Sequence, residues 1–330
     1  MLLLSGDLRR RTGGNLYDLQ MERACARGGV SLRIVSTRST AHARAELSRL
    51  APSVVVIDSI AIPYAAPLVP WMRAELRARI VALMHMRTQA RGTRNVLRAA
   101  DRIIAVSPEL ARLLSRAGTP RARLTVIPPG SDRIPRASRS TGRSRGDGSL
   151  RVLAVANWSP AKGIATLVAA AAAVPGIHLD LVGDAGAGAY REAVFRRIRS
   201  NELAARVDVH GSLGERALAR RYAEADIFAL PTEREGYGIV FAEALAHGLP
   251  IVAADIPSVR AIVGDAGLFV PPRRTRPLAA ALRLMTDVRL RRRLAKAARA
   301  RARVLPRWAA SEAAFIALVT NEIRTAVARS

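Results

Sequence analysis

Two acids, Glu235 and Glu243, stand within the stretch 226–254, DIFALPTEREGYGIVFAEALAHGLPIVAA. An apolar run at 226–230 precedes them and another at 250–254 follows. Between the two lie a turn rich in charge and glycine, 232–238, and an apolar helix expected at about 239–247. Strand–loop–helix–strand units of this kind build parallel sheets, and α/β sheets bind ligands at the carboxyl ends of their strands. The N–H groups of Gly236, Tyr237 and Gly238 would open that helix. Such groups are unpaired and sit at the positive end of the dipole, which suits a phosphate. If the segment is helical throughout, eight residues advance about 12 Å and return to within roughly 80° of the same face. One carboxylate would then hold a sugar hydroxyl and the other a ribose, with a diphosphate between them. The alternative is a helix with one acid favouring the dipole and a second on a solvated face. Phe241, Ala242, Ala244, Leu245 and Ala246 make a poor setting for a merely solvated Glu243.

Other residues could share this chemistry. Lys162 falls at the amino end of an alanine-rich helix, where its ammonium can reach a diphosphate as a point charge. It is one of two lysines, with Lys296, in a chain that otherwise writes its cations as arginine. Positive charge there opposes the dipole, which disfavours a merely structural cation. Gly13-Gly14 follows the first strand, before a helix expected to begin near Asn15 as its N-cap, and lets backbone approach a phosphate. His85 and Asp58 each sit just past an apolar strand, where α/β domains display functional side chains. A turn-capping Asp58 and a structural His85 are the bland readings of those two.

Residues 231–250, with Glu235-Gly236-Tyr237-Gly238 and then Glu243-Ala244-Leu245-Ala246-His247-Gly248-Leu249-Pro250, resemble the signature of glycosyltransferase family 4. Two glutamates separated by seven residues are that family's hallmark, and its members are retaining enzymes of GT-B fold acting on nucleotide-diphosphate sugars. The resemblance implies an α/β chain of two Rossmann-like domains facing a central cleft, with a C-terminal helix crossing back to the first. It implies Glu235 on the sugar hydroxyls, Glu243 on the ribose, and the Gly13-Gly14 loop facing the donor diphosphate and acceptor. It further implies His85 close to the transferred sugar, and Gly183 and Gly211 near the nucleotide. Lys162, Glu235 and His85 are thus the catalytic candidates. The family usually has an arginine five residues before the lysine, where this sequence has Asn157. Asparagine can donate a hydrogen bond but brings no charge. Attack from the front face, assisted by the leaving phosphate, and independence of metal are implied as well. No cofactor is expected beyond the donor itself, a UDP-, GDP- or ADP-sugar. The acceptor would be a glycan, a lipid or a small molecule.

The elements that must position these residues alternate throughout. Strands are expected at 2–5, 31–36, 53–57, 79–84, 102–106 and 123–127, then at 150–156, 178–184, 207–211, 226–230 and 250–254, while 256–263 and 267–270 finish the sheet. Ser107 and Pro108 read as N-cap and first helical residue. This gives an acceptor-side domain at 1–132, a linker at 133–149 with five arginines and four serines, and a nucleotide-sugar domain at 150–307. A returning helix follows at 308–330. His178 and His210 read as strand-packing residues.

Composition narrows the classes. The single Cys25 allows no disulfide framework, and the first four residues are too few for a signal core, so a cytoplasmic protein is expected. The net charge of +27 reflects arginine-rich usage first and attraction to anionic partners second. With 4% aromatics and no reader motif, nucleic acid is not expected as a partner. The ten basic residues of 283–307 allow a peripheral contact with an anionic membrane. A dehydrogenase would need Gly-x-Gly-x-x-Gly and an acid about 20 residues on, which neither half has. A non-catalytic nucleotide-sugar-binding or scaffold protein of the same fold is the rival reading.

Overall fold

The structure is a computed structural model that describes every residue except Arg9, 137–148, 201–202 and 329–330. The chain forms two compact units, Met1–Pro129 with Pro306–Ser330, and Gly130–Leu305. Most of the expected linker 133–149 lies outside the described residues, while 133–136 belong to the second unit.

The first unit is built on six parallel strands: β1 (Leu2–Leu4), β2 (Ile34–Ser36), β3 (Val54–Asp58), β4 (Arg79–Met84), β5 (Arg102–Ala105) and β6 (Leu124–Val126), in the order β2-β1-β3-β4-β5-β6. The central strands are buried on both faces, so they read as unbroken apolar runs such as VVVI and IVALM. Strand order reverses between β1 and β3, the switch point at which sheets of this kind open a crevice. The helix Trp308–Val327 is tied to this unit by ions and packing. Glu322, 1% exposed, pairs with Arg79 and Arg102, Glu312 pairs with Arg27, and Trp308 lies 6.0 Å from the Tyr17 ring.

The second unit carries β7 (Leu150–Val155), β8 (Ile177–Val182), β9 (Val207–Val209), β10 (Ile227–Leu230), β11 (Ile251–Ala254) and β12 (Gly267–Val270). They run parallel in the order β12-β11-β10-β7-β8-β9, which puts its switch point between β7 and β10. Two elements depart from expectation. Residues 257–263 are a helix opened by Pro257, not a strand, because proline fixes a helical φ and has no N–H to give a ladder. The first helix is Gly13–Arg27, capped by Thr12, whose hydroxyl accepts from the Asn15 N–H. Asn15 is instead inside that helix, its amide tying down the Asp7 and Arg10 carbonyls. Ser107 and Pro108 open the helix Pro108–Arg116 as read.

Candidate functional site

Each unit gathers its candidate residues at its own switch point. In the second, Lys162 follows β7 and Glu235 follows β10, and their side chains meet, Nζ to Oε2, at 2.7 Å. Two backbone features hold the loops together. The Glu233 N–H and the Thr232 hydroxyl both donate to the Ala161 carbonyl, at 2.8 and 3.2 Å. Gly163 takes φ +69°, and a Cβ there would stand 2.6 Å from the Pro231 carbonyl oxygen, so only glycine lets the loops approach. The pair is 29% and 16% exposed on its two side chains, open enough for an anion to compete for the ammonium.

Glu235 and Glu243 do not share one helix. Gly238, at φ +100°, breaks the chain between them, and the helix Ile239–Ala246 starts there without a side-chain cap, leaving N–H groups of its first turn to a guest. The roughly 12 Å helical separation argued from spacing therefore does not apply. Glu243 lies inside, 1% exposed. Arg133 donates to its Oε1 from Nε at 3.0 Å and from Nη2, and the Tyr222 hydroxyl donates to Oε2 at 3.1 Å. Burial pushes the Glu243 carboxyl upward while the Arg133 guanidinium draws it back. The expected ribose contact thus meets an occupied carboxylate. Tyr237 is also buried, its phenol raised by burial and its hydroxyl without a partner, so its side chain does not line an open surface.

Around β8 the glycines have structural reasons. Gly183, φ +130°, would place a Cβ 2.1 Å from the Ala156 carbonyl oxygen, so the close approach that it permits is to the chain's own backbone. Gly211, φ +61°, has open space where a Cβ would stand. Asn157 accepts from the Asp184 N–H at 3.1 Å, using the oxygen that an arginine would lack. His210 pairs with buried Asp180 at 2.7 Å, in a network completed by Arg151 and Arg221. Asp180, Asp208 and His210 could otherwise hold a cation, but Arg151 already sits among them.

In the first unit, Gly13 and Gly14 are not a loop but the first two residues of the helix after β1, Asp58 ends β3 and His85 follows β4. Added at Gly14, a Cβ would stand 3.3 Å from His85 Cδ2, so helix start and imidazole are in contact. His85 Nε2 lies 3.0 Å from Asp18 Oδ1 and 3.8 Å from Asp58 Oδ2. Asp58 Oδ1 also accepts from the Ser59 hydroxyl and the Ile60 N–H but does not cap the following helix, Ile62–Ala65, which has no side-chain cap, while its Oδ2 faces the histidine. Burial lifts the Asp58 carboxyl to about 7, and the two carboxylates lift His85 to about 9 against its own desolvation. Asp18 and Arg133 escaped sequence reasoning. Asp18 had a signal, since it falls on the buried stripe of its helix with Met21 and Cys25, where an acid is out of place. Arg133 had none, lying in a stretch of many arginines.

Comparison with known proteins agrees with this fold. Residues 142–301 match the family of glycosyl transferases group 1, and residues 14–133 match Glycosyltransferase Family 4. A D-inositol 3-phosphate glycosyltransferase from Kineococcus radiotolerans is 31% identical over 229 residues, 61% of this chain and 52% of that protein. Its counterpart from Rhodococcus erythropolis is 31% identical over 207 residues, 58% of this chain and 47% of that protein. The chain spans about half the length of these curated relatives. Among solved structures, a sucrose-phosphate synthase from Thermosynechococcus elongatus aligns over 100% of this chain and 99% of its own, at TM-score 0.75 and 21% identity. Anabaena HepE in complex with UDP-glucose aligns over 97% and 99%, at TM-score 0.76 and 17% identity. No helix among the described residues is long and apolar enough to cross a membrane. With both family models matched in sequence, one on each side of the chain, and two parallel six-stranded sheets of the GT-B fold beneath them, this chain belongs to glycosyltransferase family 4.

Proposed function

We propose that the protein transfers a sugar from a nucleoside-diphosphate sugar to a glycan, lipid or small-molecule acceptor, with retention and without a metal ion. The observation that carries this reading is the Lys162–Glu235 pair at the β7/β10 switch point. Leaving of the diphosphate builds negative charge on phosphate oxygens and positive charge on the anomeric carbon. Lys162 and the uncapped amino end of the helix Ile239–Ala246 are preorganised to meet the first. As phosphate takes the ammonium, Glu235 is released to accept from sugar hydroxyls and fix the ring. Glu243 holds the ribose once Arg133 withdraws. The first unit is the acceptor side, with His85 its catalytic candidate. Metal independence is supported by the ammonium, which supplies the charge that a divalent ion would bring. UDP, GDP and ADP and their glucose conjugates are the donors to try.

The test pairs binding with turnover. A thermal-shift panel of nucleoside diphosphates and their sugars identifies the donor, since a ligand of the folded state raises Tm. Release of nucleoside diphosphate with an acceptor extract then reports transfer, and the anomeric configuration of the product reports retention. Binding without release would favour the scaffold reading instead. Loss of turnover with chelator, restored by manganese, would refute metal independence.

A further inference from the structure

His85 is held differently from the other four histidines. Its Nε2 is directed at two carboxylates carried by separate elements, Asp18 from the first helix and Asp58 from the end of β3. Both acids have 0% exposure, and on each the oxygen Oδ2 has no hydrogen-bond partner. A buried carboxylate with an unfilled oxygen is costly unless a cation stands beside it. Among the described residues the imidazole is the cation-forming group that both face. The other neighbours are neutral: Tyr17, edge-on at 5.4 Å, whose phenol is kept protonated by burial, the Ser59 hydroxyl, and the Gly14 backbone. Meanwhile His85 Nδ1 makes no hydrogen bond among the described residues, and the side chain keeps 15% of its surface open.

We infer that Asp18 and Asp58 are positioning residues that act through His85: the two buried carboxylates fix its ring and hold it as imidazolium, leaving Nδ1–H as a standing donor to an oxygen of a substrate bound at the first unit. The inference rests on the glycosyl-transfer reading above and gives the histidine of the first unit a charge and an orientation. Charge-assisted donors are about twice as strong as neutral ones. Against a developing oxyanion, a donor that is already charged needs no proton to arrive during the reaction. No proton is transferred in this role. Raising His85 to about 9 by the same two carboxylates agrees with it.

The test begins without substrate. In protein labelled with ¹³C,¹⁵N-histidine, the His85 signal is assigned by its loss in His85→Gln and followed against pH. It should titrate near 9 in the wild type and move toward the ordinary 6.5 in Asp18→Asn and Asp58→Asn. A wild-type midpoint at 6.5, or one that neither substitution moves, would overturn the inference. With UDP-, GDP- or ADP-glucose, whichever turns over, Asp18→Asn should lower kcat by about 10–100-fold with little change in KM. Its rate should also decline at a lower pH than that of the wild type, which falls above about pH 9. Equal kcat and an unshifted pH profile would discard the positioning role. If Asp18→Asn does not fold, Asp58→Asn carries both measurements. Wild-type protein that turns over none of the three donors, while His85 still titrates near 9, refutes the reaction and not the electrostatic arrangement. A divalent metal retained in stoichiometric amount, and lost in Asp18→Asn, would overturn the inference in favour of a metal site.

Discussion

The two units solve one architectural problem with opposite charges. Each has six parallel strands and a switch point beside its first strand, and each places its ionisable candidates around the carboxyl ends of the strands there. In the second unit a single ammonium meets a single carboxylate, both partly open to water. In the first, two fully buried carboxylates confine one imidazole. Sheet geometry cannot account for this, since it is shared. The difference lies in which residue follows which strand, so function is written in the loops and the sheet only brings them together. The open pair is suited to be exchanged for a ligand, and the closed trio to be kept.

The comparison breaks most visibly inside the second unit, where Glu243 is as buried as the acids of the first. Arg133→Met should cost about 3–5 kcal/mol in urea unfolding, because it strands a carboxylate in the interior. Its sign with pH follows from burial holding the Glu243 carboxyl above its ordinary value. The folded state keeps a proton that the unfolded chain has lost, so stability declines as pH rises through the folded value. Removing Arg133 should steepen that decline. Glu243→Gln in the same background should recover part of the loss. A variant as stable as the wild type at every pH would show that the guanidinium is not what balances this acid.

Lys162→Ala should do the reverse. Turnover should fall by roughly 10²–10³ if one charged donor to the leaving group is lost. Stability should change by about 1 kcal/mol or less, as exposed ion pairs contribute little. A large loss of stability with unchanged initial rates would turn the Lys162–Glu235 pair into a structural clasp.

The next effect belongs to the first unit. Asp58 is raised from 3.8 to about 7 and His85 from 6.5 to about 9. Both folded values exceed the unfolded ones, so the stability linked to them is complete at low pH. It is lost as pH rises, first between about 4 and 7 and then between about 6.5 and 9. Asp58→Asn should flatten the first window in denaturant melts collected at pH 5, 7 and 9. An unaltered slope between pH 5 and 7 would mean that Asp58 already ionises below pH 5 in the fold.

Much of this was legible before any coordinates. Unbroken apolar runs such as VVVI and IVALM announced strands covered on both faces, because parallel sheets bury both. Lys162 and Glu235 could be named because glycine-rich turns after strands are local signals. What stayed hidden was decided by distant partners. The resting partner of Glu243 could not be read locally, because its pairing with Arg133 spans 110 residues and no local pattern records it. Gly183 read as near the nucleotide, while the nearest backbone to it is the chain's own, the Ala156 carbonyl just past β7. Asn15 read as a cap because Asn is a good one, yet Thr12 had already taken the position.

The smallest effect separates the two units most cleanly. Gly163→Ala should be plainly destabilising, by about 1–3 kcal/mol, because the residue has positive φ and meets the Pro231 carbonyl. Gly14→Ala has no such backbone demand. Gly14 is the second residue of a 15-residue helix, where alanine gains roughly 0.5–1 kcal/mol over glycine. Against that gain, its Cβ arrives 3.3 Å from His85 Cδ2, so the ring must yield by a few tenths of an ångström. The hydrogen bond to Asp18 resists the movement, and the two terms should nearly cancel in a thermal melt. Turnover should not be spared, since a ring tilted away from its carboxylates presents Nδ1 in another direction. A variant with native Tm, reduced kcat and a displaced His85 resonance would locate the precision of the first unit in that one contact. Native Tm together with native kcat would mean that the ring has slack and that Gly14 serves the helix alone.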